Sequence, residues 1–538
     1  MNGSFTCQVD HIAGHPNALF VFGWALHPTL RIDAAHALLR FDDGVERRIR
    51  VSIDRPREDV AAAFPTAPHA ANAGYMLVAG WPENPPVSAA LAFDIADGTV
   101  ATVPLSLPPL QATAQPAAVG WSYLLRRAWA HARGGRFRAL WHKVRRFRER
   151  SRAMARTITE PELATAIGGR RCTVIIDHSM GGGANAFRER VIEELTAAGE
   201  TVVLLTFAVS SLSLLAEIRM AGTPPRAVAI AGLDALQESL RHARLAQVIY
   251  NCGVSFPQPQ GIPAFIHSLC RSTGARLSIA IHDYFLVCPS SYLLDRDGLF
   301  CGVPDVDRCR RCLPAHEDGF VALAGERSID RWRAAWGDLL RSADEIRCFS
   351  ESSRRLVSRA YPNIAGRLQV RPHHVDSLRT VRIGTAMDGP LVIGVIGSIS
   401  HHKGAGIVAD LAHAIESQQA AARIVVLGHV DAACPPAVVQ AVGEYDRHEL
   451  PDLVERHGIQ LALLPSICPE TFSFVAHEVL SMGLPLMTLD CGAQADLARS
   501  HPLGRVATRT DGPGLLAELR TFADDIARQD PKPQDATA

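Results

Sequence analysis

Glu470 and Glu478 stand eight positions apart in PETFSFVAHEVLSMGLP, residues 469–485. The first precedes an apolar run with helical spacing and the second lies inside it, about two turns in. A carboxylate at a helix entrance can cap free backbone N–H groups, and that alone would explain Glu470. It would not explain Glu478, whose neighbours Val475, Ala476, Val479 and Leu480 imply partial burial. A partly buried carboxylate requires hydroxyls or a cation as partners. Lys403, in GSISHHKG, is a point charge suited to phosphate, or else a surface lysine at a helix start. HSMGGGAN, residues 178–185, puts three glycines between a strand and a helix. Backbone can then approach an anionic ligand beneath a helix N-terminus, although an ordinary tight turn also has this form. It has neither dinucleotide G-x-G-x-x-G spacing nor a Walker pattern. His282 and Asp283 close the apolar run of ARLSIAIHDYF. A lone histidine is most often structural, but one at a strand's carboxyl end beside an acid is placed to meet substrate. Cys309 and Cys312 have chelating spacing, and Cys288 and Cys301 can complete four thiolates for a structural zinc; free thiols in a loop are the alternative.

These residues need strands that end at a common edge. From residue 166 to 375, buried-strand patterns such as CTVIID, TVVLLTF, LAQVIYN, ARLSIAI and EIRCFS alternate with helical ones. A second set, 385–525, runs from PLVIGVIGSIS through ARIVVLG and IQLALLPS to LPLMTLD. Short apolar runs alternating with amphipathic helices predict two parallel, doubly wound sheets, whose ligands bind at the strands' carboxyl ends. Residues 1–112 read as short strands broken by turns at Asp43-Gly44 and Asp97-Gly98, and predict a β-sandwich. Residues 113–165 are expected to be a linker with basic amphipathic helices, and 526–538 a disordered tail.

The chain has 538 residues, 47% hydrophobic and 20% charged, which suits about three globular domains. Fifty-five Lys+Arg balance fifty-five Asp+Glu, so the protein is no polycation and nucleic acid is not an expected partner. One segment departs from that average. Residues 121–156 hold twelve Lys/Arg against one acid, Glu149, with Trp and Phe at helical spacing. Such a helix lies on an anionic membrane surface, or packs its aromatic stripe on a neighbouring domain. No apolar run reaches the length of a spanning helix, and the N-terminus has no signal-peptide pattern. Twelve cysteines without an export signal read as reduced thiols, so a cytoplasmic protein is expected, peripheral on the inner membrane face if the basic helix binds there.

The span from about 170 to 525 resembles the GT-B fold retaining glycosyltransferases of the family 4-like type. The residues that carry the resemblance are Pro469-Glu470-x-Phe472 through Glu478 to Gly483-x-Pro485, an E-x7-E signature, preceded by Gly397-x5-Lys403-Gly404. Gly181–Gly183 and His282-Asp283 match more loosely. The resemblance implies two Rossmann-like domains facing a cleft that holds a nucleotide-sugar. It implies that Glu478 binds the ribose, that Glu470, Phe472 and Ser473 meet the donor sugar, and that Lys403 holds the diphosphate. The Gly182–Gly183 loop would approach phosphate and sugar, and His282 would sit near the reacting centre. The acceptor would be a glycan or lipid-linked sugar of surface polysaccharide assembly, and catalysis would require no cofactor. Many members carry an arginine where this chain has Ser398, so either Lys403 alone would have to do more or another group, Arg188 or His402, would have to assist it. Two other readings are a catalytically degenerate glycan-binding scaffold and a nucleotide-sugar epimerase; the E-x7-E spacing argues against the epimerase. Residues 1–112, with Phe22-Gly23-Trp24-Ala25, resemble small β-domains fused to bacterial polysaccharide transferases; if exposed, these aromatics would bind sugar, and if buried they would be core, which is the reading expected here.

Overall fold

The computed structural model describes residues 5–81, 84–110, 159–382 and 389–529. The basic segment 121–156 and the chain from 530 on lie outside the described residues. Eight antiparallel strands form the N-terminal part: β1 (Thr6–His15), β2 (Ala18–Leu26), β3 (Ile32–Arg40), β4 (Glu46–Arg50), β5 (Ser52–Arg55), β6 (Gly74–Gly80), β7 (Ser88–Ile95) and β8 (Val100–Leu105). They make two four-stranded sheets, in the orders β1-β2-β6-β5 and β4-β3-β7-β8. Leu19, Val21, Leu39, Tyr75, Leu77, Leu91 and Phe93 fill the space between them, as strand alternation requires. Trp24 is 9% exposed and packs on Leu26, Val60, Ala70 and Ala73, so it belongs to a core.

The next sheet has eight strands: β9 (Arg171–Ile176), β10 (Thr201–Ala208), β11 (Ser213–Met220), β12 (Thr223–Ala229), β13 (Arg244–Tyr250), β14 (Arg276–Ala280), β15 (Glu345–Cys348) and β16 (Leu368–Val370). Their order is β12-β11-β10-β9-β13-β14-β15-β16, parallel from β10 to β16, with β11 and β12 added as an antiparallel hairpin. The chain leaves β9 toward β10 and returns to β13 on its other side, so β9 lies at a topological switch point. The helix Glu160–Ile167 begins inside the stretch expected to be linker, because Leu163 and Ile167 are fully buried in this core.

The last sheet has six parallel strands: β17 (Leu391–Ile399), β18 (Ala422–Val430), β19 (Val439–Ala441), β20 (Leu461–Leu464), β21 (Leu486–Thr488) and β22 (Gly504–Val506). They run in the order β19-β18-β17-β20-β21-β22. Its switch point lies between β17 and β20. The final helix, Gly512–Gln529, runs into the stretch expected as disordered tail, because Ile526 continues the core-facing stripe of Leu515, Leu519 and Phe522.

Contacts divide the chain into two compact units. One runs to Cys348 and includes Arg354–Val370; the other holds Phe349–Ser353 and what is described from Arg371 on. The N-terminal strands therefore share a unit with the first parallel sheet. Ala18, Phe20 and Val78 of β2 and β6 pack in the same cluster as Val174, Ile176 and Leu323.

Candidate active site

In the second unit, the loops that leave β17 and β20 meet. The Lys403 ammonium donates to Oε1 of Glu470. The meeting follows from the switch point: β17 and β20 are neighbours, so their carboxyl-end loops emerge side by side. Gly404 sets the closeness. Its φ is +86°, and a Cβ there would stand 2.0 Å from the Pro465 carbonyl oxygen. Ile467 N–H donates to the His402 carbonyl at 3.2 Å and ties the two loops again.

Glu470 is not the helix cap. The helix spans Phe474–Ser481 and Ser473 is its N-cap, accepting from Ala476 N–H at 3.4 Å. This leaves the Glu470 carboxylate for side-chain partners. Ser466 Oγ donates to its Oε1 at 3.1 Å, and Ser473 also bonds to it. Burial pushes the Glu470 carboxyl up, but Lys403 and the hydroxyls of Ser473 and Ser466 outweigh it and leave it below its ordinary value. Lys403 moves in the complementary direction: burial pushes it down, and Glu470 raises it above its ordinary value. His402 is pushed down to about 3, first by burial and then by Lys403. It is therefore neutral at physiological pH and supplies no second cation.

Glu478 is 8% exposed on the helix. Arg447 Nε donates to its Oε1 at 2.6 Å. Tyr445 stands close enough that burial, and then the charge of Glu478, push its hydroxyl up to about 12. The signature carboxylates are thus two sites, each with its own cation. Phe472 turns away into a ring cluster, stacked on His477 at 4.5 Å and edge-on to Phe474 and His373 at 4.9 Å.

Three residues here escape a reading of spacing. Arg447 precedes Glu478 by thirty-one positions, in a turn with an Asp446/Glu449 capping box. Gln494 is fully buried; its Oε1 accepts Glu470 N–H at 3.2 Å and its Nε2 donates to the Cys468 carbonyl at 3.1 Å. Gly492 has φ +70°, and a Cβ there would lie 2.5 Å from Glu470 N. The only sequence signal was C-G-A-Q just after the strand LPLMTLD.

In the first unit, Gly181 and Gly182 have φ of +92° and +89°, and a Cβ added at either would meet nothing within 4 Å. Backbone conformation, not crowding, demands glycine there. Gly182 N-caps the helix Gly183–Ala197 without a side-chain cap. The loop is braced from below. Asn185 Oδ1 accepts Gly181 N–H at 2.6 Å, and Asn185 Nδ2 donates to Oδ2 of the fully buried Asp177 at 3.0 Å. Arg188 Nη1 donates to the same oxygen at 3.0 Å, and its other nitrogens to Glu189. Its charge is compensated inside the loop. His282 follows β14, its ring 4.9 Å from that of Phe187. Asp283 accepts from Phe285 N–H at 2.8 Å and lies 2.7 Å from Cys252 Sγ; burial raises its carboxyl. Cys288, Cys301, Cys309 and Cys312 line one cavity of about 30 Å³.

The chain is an α/β protein with two Rossmann-like doubly wound sheets, the pair expected of the GT-B fold, and in addition an N-terminal β-sandwich. No protein-family model and no curated protein matches it. Among solved structures it is similar to HepE of Anabaena in complex with UDP-glucose, at 15% identity over 66% of this chain and 94% of that one, with a TM-score of 0.43. It is also similar to the lipopolysaccharide outer core galactosyltransferase WaaB, at 12% identity over 67% and 100% of the two chains, TM-score 0.37. A glycosyltransferase from Rickettsia africae gives 11% identity over 67% and 91%, TM-score 0.39.

Proposed function

We propose that the chain is a retaining glycosyltransferase of the family 4-like type, moving a sugar from a nucleotide-sugar donor to a glycan or lipid-linked acceptor in surface polysaccharide assembly. The observation that carries this reading is the meeting of Lys403 and Glu470 at the switch point of a parallel sheet, with Glu478 buried on the following helix. In this reading Lys403 holds the donor diphosphate, Glu470 and Ser473 take the hydroxyls of the donor sugar, and Glu478 takes those of the ribose. Phe472 shapes the turn beside them. Gly182 and Gly183 are proposed for donor binding, and His282 for catalysis. The bond from the anomeric carbon to phosphate breaks, the acceptor oxygen bonds to that carbon, and the acceptor's proton passes to the leaving phosphate. The developing charge is on the diphosphate, where Lys403 and helix N–H groups stabilise it, and no cofactor is required.

A cytoplasmic setting is supported by the twelve cysteines, all free thiols. Among the described residues no helix is long and apolar enough to cross a membrane. Contact with an anionic membrane surface is proposed through residues 121–156, on their charge alone. Removing them should abolish binding to anionic liposomes.

The test is a nucleotide-sugar panel against wild type, Lys403→Ala and Glu478→Ala, read by calorimetry and by product analysis. Lys403→Ala should lower kcat/KM about 10²-fold. Donor binding unchanged in both variants would refute the site. Binding without turnover toward any acceptor or water would favour a glycan-binding scaffold, and a C-epimerised donor would favour an epimerase.

A further inference from the structure

Two groups of potential metal-ligating side chains lie in the first unit, and among the described residues only the first brings three ligand atoms within 4.8 Å of one another. That first group is Asp177, His178 and Cys252. Several of their ligand atoms already accept hydrogen bonds. Asp177 takes Arg188 and Asn185, both at 3.0 Å, and the N–H of His178 at 2.8 Å, while His178 Nδ1 accepts Met180 N–H at 3.1 Å. That group is a braced loop base.

The second group differs. Cys288, Cys301, Cys309 and Cys312 stand around a cavity of about 30 Å³, room for one ion. Each sulfur has an N–H donor. Backbone N–H groups of Ser290 and Val303 serve Cys288 and Cys301, that of Arg296 serves Cys312 at 3.4 Å, and Arg333 Nη2 serves Cys309 at 3.6 Å. A thiol is a weak acceptor, whereas a metal-bound thiolate is held and tuned by such donors. The other polar lining groups are occupied. Asp295 is paired with Arg308 at 2.8 Å, and His316 Nε2 bonds the Leu294 carbonyl at 3.1 Å.

The local structure needs a staple. Outside named strands, its one β-bridge joins Leu294 and Phe300. The helix Val306–Cys312 has seven residues and no buried side chain, too short to hold itself. Cys309 and Cys312, at i and i+3, share one face of it.

We propose that Cys288, Cys301, Cys309 and Cys312 bind one structural zinc ion that fixes the segment from Cys288 to Cys312. Each thiol gives its proton to solvent on binding. Four thiolates without an oxygen or imidazole ligand suit zinc's tetrahedral, closed structural sites. The site is independent of sugar transfer and would stand if the proposed activity fell.

Full-length protein purified without chelator should carry one zinc ion per chain by elemental analysis. A mercurial thiol reagent should release it in wild type, a result that does not depend on any variant's folding. Cobalt substitution should give the intense absorption of tetrahedral cobalt–thiolate. Cys309→Ser and Cys312→Ser should lose the ion, while Cys434→Ser keeps it. The proposal is overturned if reduced protein reconstituted with zinc retains none after desalting. Zinc kept in Cys309→Ser but lost in Cys252→Ser overturns it too, as do disulfides among the four cysteines in non-reduced peptide maps.

Discussion

Burial alone would raise the carboxyl of Glu470. Its carboxyl lies below its ordinary value because Lys403, Ser473 and Ser466 outweigh burial. A depressed carboxyl stabilises the fold above its unfolded value, about 4.3, and loses that stabilisation as pH falls through the folded value. Lys403 is raised, so its share persists below about 10.4 and is lost as pH rises through its folded value. The melting-temperature gap between wild type and Glu470→Gln should therefore be flat from about pH 6 to 9 and narrow progressively as the pH falls below about 4. A gap that does not narrow as the pH is lowered from about 6 would show that charge is not its source. Glu478 tests the same physics differently. Arg447→Ala leaves a buried carboxylate without its cation, which should cost about 2 kcal/mol in urea unfolding. Adding Glu478→Gln should recover part of that loss, and simple additivity of the two changes would mean the 2.6 Å contact has no energetic weight.

At the scale of elements, glycines fix how near the strand-end loops come. Gly404→Ala must move a Cβ away from the Pro465 carbonyl, and Gly492→Ala away from Glu470 N; both also hold positive φ. Each should cost about 1–3 kcal/mol and weaken donor binding by displacing Lys403 or Glu470. Gly458 makes a control, since its φ is +66° with nothing within 4 Å of an added Cβ. Gly458→Ala should cost about 1 kcal/mol in stability and leave donor binding unchanged. If it weakens donor binding equally, close approach is not the reason for glycine at 404 and 492. The same elements show what a sequence displays and what it hides. The parallel strands were legible because buried strands read as continuous apolar runs, as in LVIGVI and ARIVVL. The β11–β12 hairpin was not, since β12 is an edge strand reading TPPRAVA, whose Pro224 is exposed at the sheet's rim. Lys403, Glu470 and Glu478 were visible as charges in apolar or glycine-rich surroundings. Arg447 and Gln494 were not, because their partners arrive from other strand ends and no local spacing encodes that meeting.

At the scale of the molecule, the N-terminal sandwich is not a freely hung module. Phe20 and Val78 on its outer face pack in the cluster that holds Val174, Ile176 and Leu323 of the first parallel-sheet region. The approach is backbone to backbone. A Cβ on Gly80 would lie 2.6 Å from Leu323 Cα, and one on Gly319 would lie 2.4 Å from the Val78 carbonyl oxygen. Trp24 is buried on its own side, so in the stretch Phe22-Gly23-Trp24-Ala25 it contributes packing, the core role expected of a buried aromatic. A chain beginning at residue 159 would expose the apolar partners of Phe20 and Val78 to water, at about 25 cal/mol for each Å² uncovered. It should express as aggregate, while the full chain elutes as a discrete species in size-exclusion chromatography. Gly319→Val in the full chain, which pushes the two layers apart without deleting either, should lower the melting temperature of the sandwich and the first parallel sheet together in one transition. Two separate transitions, or a folded and donor-binding 159–538 fragment, would mean that the sandwich is a separable module and that its contact with the helix Gly319–Ala324 is incidental to the stability of the fold.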